Sequence, residues 1–209
     1  MNHRRSGVLF LTALCAGSLL PLAAFAEQKE LSAQARWRAQ EIRYTYNGIT
    51  NAYNCDSAEQ RLRAILIALG AHERTQVKAR GCEPRGVAIS FFITITTATP
   101  VLLGSASAGT SSGPEQRALL TTLDLKPDET FVAELKVIDM SQQRQLKLQS
   151  GDCELLRGLR NNVLPQLSMK VIRDNISCNS NGVGQRQPGL TVAALVPKPK
   201  PDGEVKPKS

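Results

Sequence analysis

Histidine is nearly missing from this chain. Its 209 residues contain two, and His3 lies in a leader segment, so His72 is the only imidazole left for chemistry. A Ser-His-Asp triad would have to pass through that residue, and no Gly-x-Ser-x-Gly elbow accompanies it. Its setting, Gly70-Ala71-His72-Glu73, reads as an exposed turn after a helix stop. There is no C-x-x-C pair, which with one histidine leaves no basis for a zinc site or a dithiol redox motif. The small-residue stretch GSASAGTSSGP at 104–114 has no Lys-Ser or Lys-Thr behind it and fits no dinucleotide fingerprint, so it reads as a mobile connector. No cofactor and no metal is implied. Beyond the leader, no apolar run approaches the ~20 residues of a membrane span.

What is present begins with a secretion signal. His3, Arg4 and Arg5 supply positive charge, Val8 to Leu20 an apolar stretch, and Ala24-Phe25-Ala26 the small residues that precede a cleavage site. Cleavage between Ala26 and Glu27 is the expectation. Cys15 follows Leu14 where lipoprotein acylation wants a small residue, and the neighbours of Arg4-Arg5 fit a twin-arginine signal poorly. The expected compartment is therefore the periplasm or the exterior.

Four cysteines remain after the leader: Cys55, Cys82, Cys153 and Cys178. An even number in an oxidising compartment reads as disulfides, and of three pairings Cys55–Cys82 with Cys153–Cys178 brackets one local unit each. The whole chain carries a formal net charge of +8, spread along its length rather than gathered in one patch, which argues against nucleic acid. The segment 197–209 is polar, basic and proline-rich, with Lys198, Lys200, Lys206 and Lys208 against Asp202 and Glu204. It cannot bury apolar surface and is expected to be disordered.

The hydrophobic pattern then divides residues 27–196 into elements of one expected domain. Residues 30–41, polar with scattered alanines and Trp37, predict a short amphipathic helix. Ile42 to Tyr46 alternates, and Asn47-Gly48 offers a two-residue hairpin turn, with one longer kinked strand as the alternative. Leu62, Ile65, Leu66 and Leu69 stripe a helix opened by a capping box at Ser57 and Gln60 and stopped by Gly70. Gln76 to Cys82 reads as a strand, and Val87 to Thr99 as the best one, closed by Pro100. Strands follow over 118–125, 130–139 and 145–149; a helix runs from an Asp152 N-cap to Pro165; 169–173 reads as a returning strand and 190–196 as an edge strand. Leu66 and Leu69 after Cys55 hold the same offsets as Leu164 and Leu167 after Cys153, which raises a duplicated helix–strand unit.

The fold expected is α+β: a two-layer sandwich of a mixed or antiparallel sheet of about six to eight strands with two main helices on one face, for which the leucine offsets raise a duplicated helix–strand unit, a ferredoxin-like half repeated. For function, the pattern points to a non-enzymatic exported protein that binds a protein partner or an anionic envelope polymer. The candidate contacts are Trp37, Tyr44 and Tyr46 as stacking surfaces, and Lys198, Lys200, Lys206 and Lys208 as charges. The alternatives are an envelope-polymer hydrolase using carboxylates such as Asp124, Asp128, Glu129 and Asp139, or an inhibitor that occludes an exported enzyme.

Overall fold

A computed structural model gives the structure of the protein and describes residues 32–48, 52–82, 86–105, 113–178 and 188–199. The expected leader and cleavage site, most of the 104–114 segment, and Lys200, Lys206 and Lys208 lie outside the described residues. The fold is α+β. Six strands, β1 (Ser32–Asn47), β2 (Gln76–Arg80), β3 (Ser90–Leu102), β4 (Thr130–Asp139), β5 (Lys170–Asn175) and β6 (Gly189–Pro197), form one antiparallel sheet in the order β2-β3-β1-β4-β6-β5. Helices α1 (Cys55–Ala68) and α3 (Cys153–Asn162) share one core against the inner face of the sheet. A third helix, α2 (Pro114–Thr122), lies between the two sequence halves.

The sequence order and the sheet order together reveal a repeat. β1-α1-β2-β3 assembles as β2-β3-β1, and β4-α3-β5-β6 assembles as β5-β6-β4, with β1 and β4 meeting antiparallel at the centre. Each half is stapled in the same way: the first residue of the helix is bonded to a cysteine just beyond the following edge strand, Cys55 to Cys82 and Cys153 to Cys178. The matched leucines Leu66, Leu69, Leu164 and Leu167 are all buried. The second helix is shorter because Pro165 lacks the N–H that would continue it.

Several expectations are corrected. Residues 32–41 are strand, not helix: β1 pairs with β3 without a break from Ala35↔Leu102 to Asn47↔Ser90. Its helix-prone alanines are tolerated because Ala39 faces Ala98 under α2, where a larger side chain would not fit beside Leu120 and Leu123. The same register removes the hairpin at Asn47-Gly48, since Gly48 N–H donates to Ile89 O and extends the pairing. Residues 118–125 are mostly helix: Pro114 opens α2, and Leu119, Leu120 and Leu123 recur at helical spacing. Residues 145–149 lie in and beyond a short 3₁₀ turn, Arg144–Leu146, rather than a strand. Helix α1 is capped by Asn54, whose side chain accepts from the N–H groups of Asp56 and Ser57, not by the Ser57 box. β6 is internal, between β4 and β5.

Pro100 does not end β3, which runs on to Leu102. Ala98 O accepts from His72 N–H on the side away from β1, and in an antiparallel strand residue 100 points the same way as residue 98. The missing N–H of Pro100 therefore faces the edge beyond β2 and removes no ladder bond.

Candidate functional site

Residues directly opposed in an antiparallel pair share a face of the sheet, so the register lays out the surface. On the inner face, Ile42 and Tyr46 of β1 meet Ile95 and Phe91 of β3 under α1. On the outer face of the first half the rows are polar. Arg80, Phe92 and Thr45 form one; Lys78, Thr94 and Arg43 the next; Gln76, Thr96 and Glu41 the third. Phe92 is 67% exposed, a large ring standing in water on the alternating first half of β3. Arg43 is engaged by Glu41, at 2.8 Å from its Nε. Lys78 and Arg80 make no ion pair among the described residues.

Strands lie ~4.8 Å apart and same-face residues of one strand ~7 Å apart, so these cations stand about 7–10 Å from one another along the outer face. Such an array can meet successive negative groups of an extended chain, with threonine hydroxyls between them and a ring face for stacking. The same charges keep the exposed edge of β2 from pairing with another strand.

The aromatic residues singled out from sequence lie elsewhere. Tyr46 is 2% exposed, packed between Phe91 and Tyr53, with its hydroxyl 3.5 Å from Glu154. Tyr44 turns to the same inner face; a Cβ on Gly158 of α3 would come within 3.3 Å of its ring, and its buried hydroxyl has no hydrogen-bond partner among the described residues. Burial pushes the phenols of both well above their ordinary value. Trp37, of opposite parity on β1, lies on the outer face, where Phe131 and His72 flank it at 4.6 and 4.8 Å. The three rings therefore form no common platform. Lys198 is held 3.5 Å from Glu134.

His72 is a packing residue. Its ring meets Trp37 edge-on, its Nδ1 accepts from Arg74 N–H, and partial burial, followed by the Arg74 charge, lowers its pKa against the pull of Glu73.

Of the carboxylates named from sequence, Asp124 pairs with Arg74 and Asp139 accepts from Ser141, while Asp128 and Glu129 are exposed on the turn before β4, so the four form no catalytic pair. Among the described residues the buried carboxylates are Glu134 on β4 and, at the start of α3, Asp152 and Glu154. Asp152 accepts from Tyr53 OH at 2.7 Å and Gln149 N–H at 2.8 Å, with Arg61 Nε at 3.4 Å. Burial first, then the hydrogen bond to Asp152, pushes the Tyr53 phenol up. This network ties α1, Tyr53 and α3 together. Its signal in the sequence was faint, because an Asp before a helix and a Glu in its first turn ordinarily serve as surface caps. Among the described residues no three His, Cys, Asp or Glu side chains gather as metal ligands do, and no helix is long and apolar enough to cross a membrane. Compared with protein-family models, curated proteins and solved structures, the chain matches none.

Proposed function

We propose that this is an exported, non-enzymatic binding protein, periplasmic or secreted, that holds an anionic polymer of the cell envelope on the outer face of its first half. The observation that carries the reading is the pair of cations Lys78 and Arg80, without an ion-pair partner among the described residues, beside the exposed ring of Phe92. The paired cysteines fit an extracellular protein, and the leader supplies the route there. The inner face of the same strands is sealed by α1, so the outer face presents its charges on a rigid support. The basic tail adds Lys200, Lys206 and Lys208 to the cations the chain carries.

The test is titration of the mature protein with polyphosphate and with polygalacturonate, against a Lys78→Gln, Arg80→Gln, Phe92→Ser variant. Binding should weaken as salt rises, and the variant should lose about tenfold or more in affinity while melting at the wild-type temperature. Unchanged affinity in the variant would remove this face from consideration.

A further inference from the structure

The two halves of the repeat differ most on the outer face of the sheet. Aligning them on Cys55 and Cys153, which open the equivalent helices, sets Trp37 and Ala39 of β1 against Leu135 and Val137 of β4. The strand partners agree: Trp37↔Pro100 and Ala39↔Ala98 in the first half, Leu135↔Leu195 and Val137↔Ala193 in the second. Opposed residues share a face, and Ile138 and Ala194, next along β4 and β6, belong to the inner core, so both second-half rows face outward.

In the first half the equivalent rows are covered. Helix α2 packs Leu120 and Leu123 against Ala39 and Ala98, and both alanines are buried. In the second half the rows are bare: Val137 is 66% and Leu135 55% exposed, with Ala193 and Leu195 half-buried beside them. A contiguous apolar face of this kind marks an interaction site. The residues after β6 do not supply the missing helix, since 198–209 contain one large aliphatic side chain, Val205.

Charge decides what fits there. On the same face Lys170 of β5 stands directly opposite Ala193, and Arg173 opposite Thr191. Neither makes an ion pair among the described residues. Asp139, across Thr191 on the other strand, accepts from the Ser141 hydroxyl and N–H. A second copy would add the same basic pair, whereas an acidic partner neutralises it.

We propose that the outer face of β4 and β6 docks an amphipathic helix of a partner protein. A leucine stripe covers the Leu135–Leu195 and Val137–Ala193 rows, as α2 covers their counterparts, and acidic residues on the flank toward β5 meet Lys170 and Arg173. The site is separate from the polyanion face of the first half, so either reading can fail without the other.

The probe is a fluorescein-labelled helical peptide of about 18 residues, with leucines on one face and glutamates along one flank. A lysine-flanked version and a scrambled version are the controls. In anisotropy titrations with the mature protein, the glutamate peptide should bind about tenfold tighter than the lysine peptide. Val137→Glu, at an exposed position, should weaken it about tenfold or more while melting at the wild-type temperature. Lys170→Glu combined with Arg173→Glu should reverse the preference between the two flanks. Amide shifts on binding should fall on β4 and β6 and spare Lys78, Arg80 and Phe92. No binding of the glutamate peptide up to about 1 mM, equal affinity for both flanks, or unchanged affinity in Val137→Glu overturns the proposal. So does a concentration-dependent dimer that Val137→Glu abolishes, which assigns the face to a second copy. Uptake onto phosphatidylglycerol vesicles that the same substitution abolishes overturns it too, and assigns the face to a membrane surface.

Discussion

Glu134 is 6% exposed and clasped by Lys136, with Lys198 on its other oxygen. The hydrogen bond from Lys136 is the largest of the influences that hold its carboxyl below the ordinary 4.5, and the Lys198 charge adds to it against the cost of burial. A depressed folded-state value means that this carboxylate stabilises the fold above its unfolded value, ~4.3, and that the contribution is lost as pH falls through the folded one. Urea midpoints measured across acid pH should therefore rise with pH more steeply in the wild type than in Glu134→Gln. Equal slopes would show that the two lysines do not act on it in solution. The tyrosines carry the opposite sign. All three have raised phenol pKa values, chiefly from burial, so their neutral forms stabilise the fold below the ordinary 10.0 and that stability is lost as pH rises. Tyrosinate absorbance should appear together with unfolding, not as a separate step near 10.0. Tyr53→Phe removes the donor from buried Asp152 and should cost about 1–3 kcal/mol by chemical denaturation.

At the scale of elements, the joints between helix and strand decide most. Gly70 stops α1 with φ +94°, and a Cβ there would lie 2.7 Å from Leu195 O of β6. Both the backbone conformation and the close approach need glycine. Gly70→Ala should destabilise by more than ~1 kcal/mol in denaturant titrations, because the helix end and β6 would have to separate. The disulfides close loops with separations of 27 and 25 residues. Replacing either pair with serine should cost roughly 3 kcal/mol each, read as a fall in melting temperature; equal losses from the two pairs would reflect their equivalent places in the repeat.

For the whole molecule, the repeat does not make two independent bodies. One buried cluster contains Leu62 and Leu66 of α1 together with Leu155 and Leu159 of α3, and both Ile95 of β3 and Val192 of β6. Gly70 of the first half is seated on β6 of the second. Calorimetry should accordingly show a single cooperative transition, and a fragment ending at Ser105 should not fold alone, having lost the apolar surface that covers its half of the core. Two resolved transitions would contradict this.

How much was legible in the residues follows from how local each determinant is. Helix α1, strands β2, β4 and β5, the stop at Gly70 and the break at Pro165 rest on neighbours within a turn or two, and they could be read directly. The uneven spacing of buried positions in β1 could not. Ala35 and Ala39 are buried on the outer face, Ala39 in the cluster with α2, while Ile42 and Tyr46 are buried on the inner face under α1 and α3, so one strand carries two phases. Leu119 to Leu125 looked strand-like because the pattern that makes it helical is completed only by Ala39 and Ala98. The binding surfaces depended on tertiary structure in the same way. Lys78, Arg80 and Phe92 were ordinary residues of two strands until the register placed them in adjoining rows, and Tyr44 and Tyr46 left the surface once α1 and α3 covered the inner face. The sequence by itself determined the periodicity and the cysteine and leucine spacing that hinted at a repeat, because these are properties of near neighbours. Only the tertiary structure decided strand order, which face each side chain occupies and the uncovered apolar rows of β4 and β6, because those depend on pairings across the chain that no local window contains.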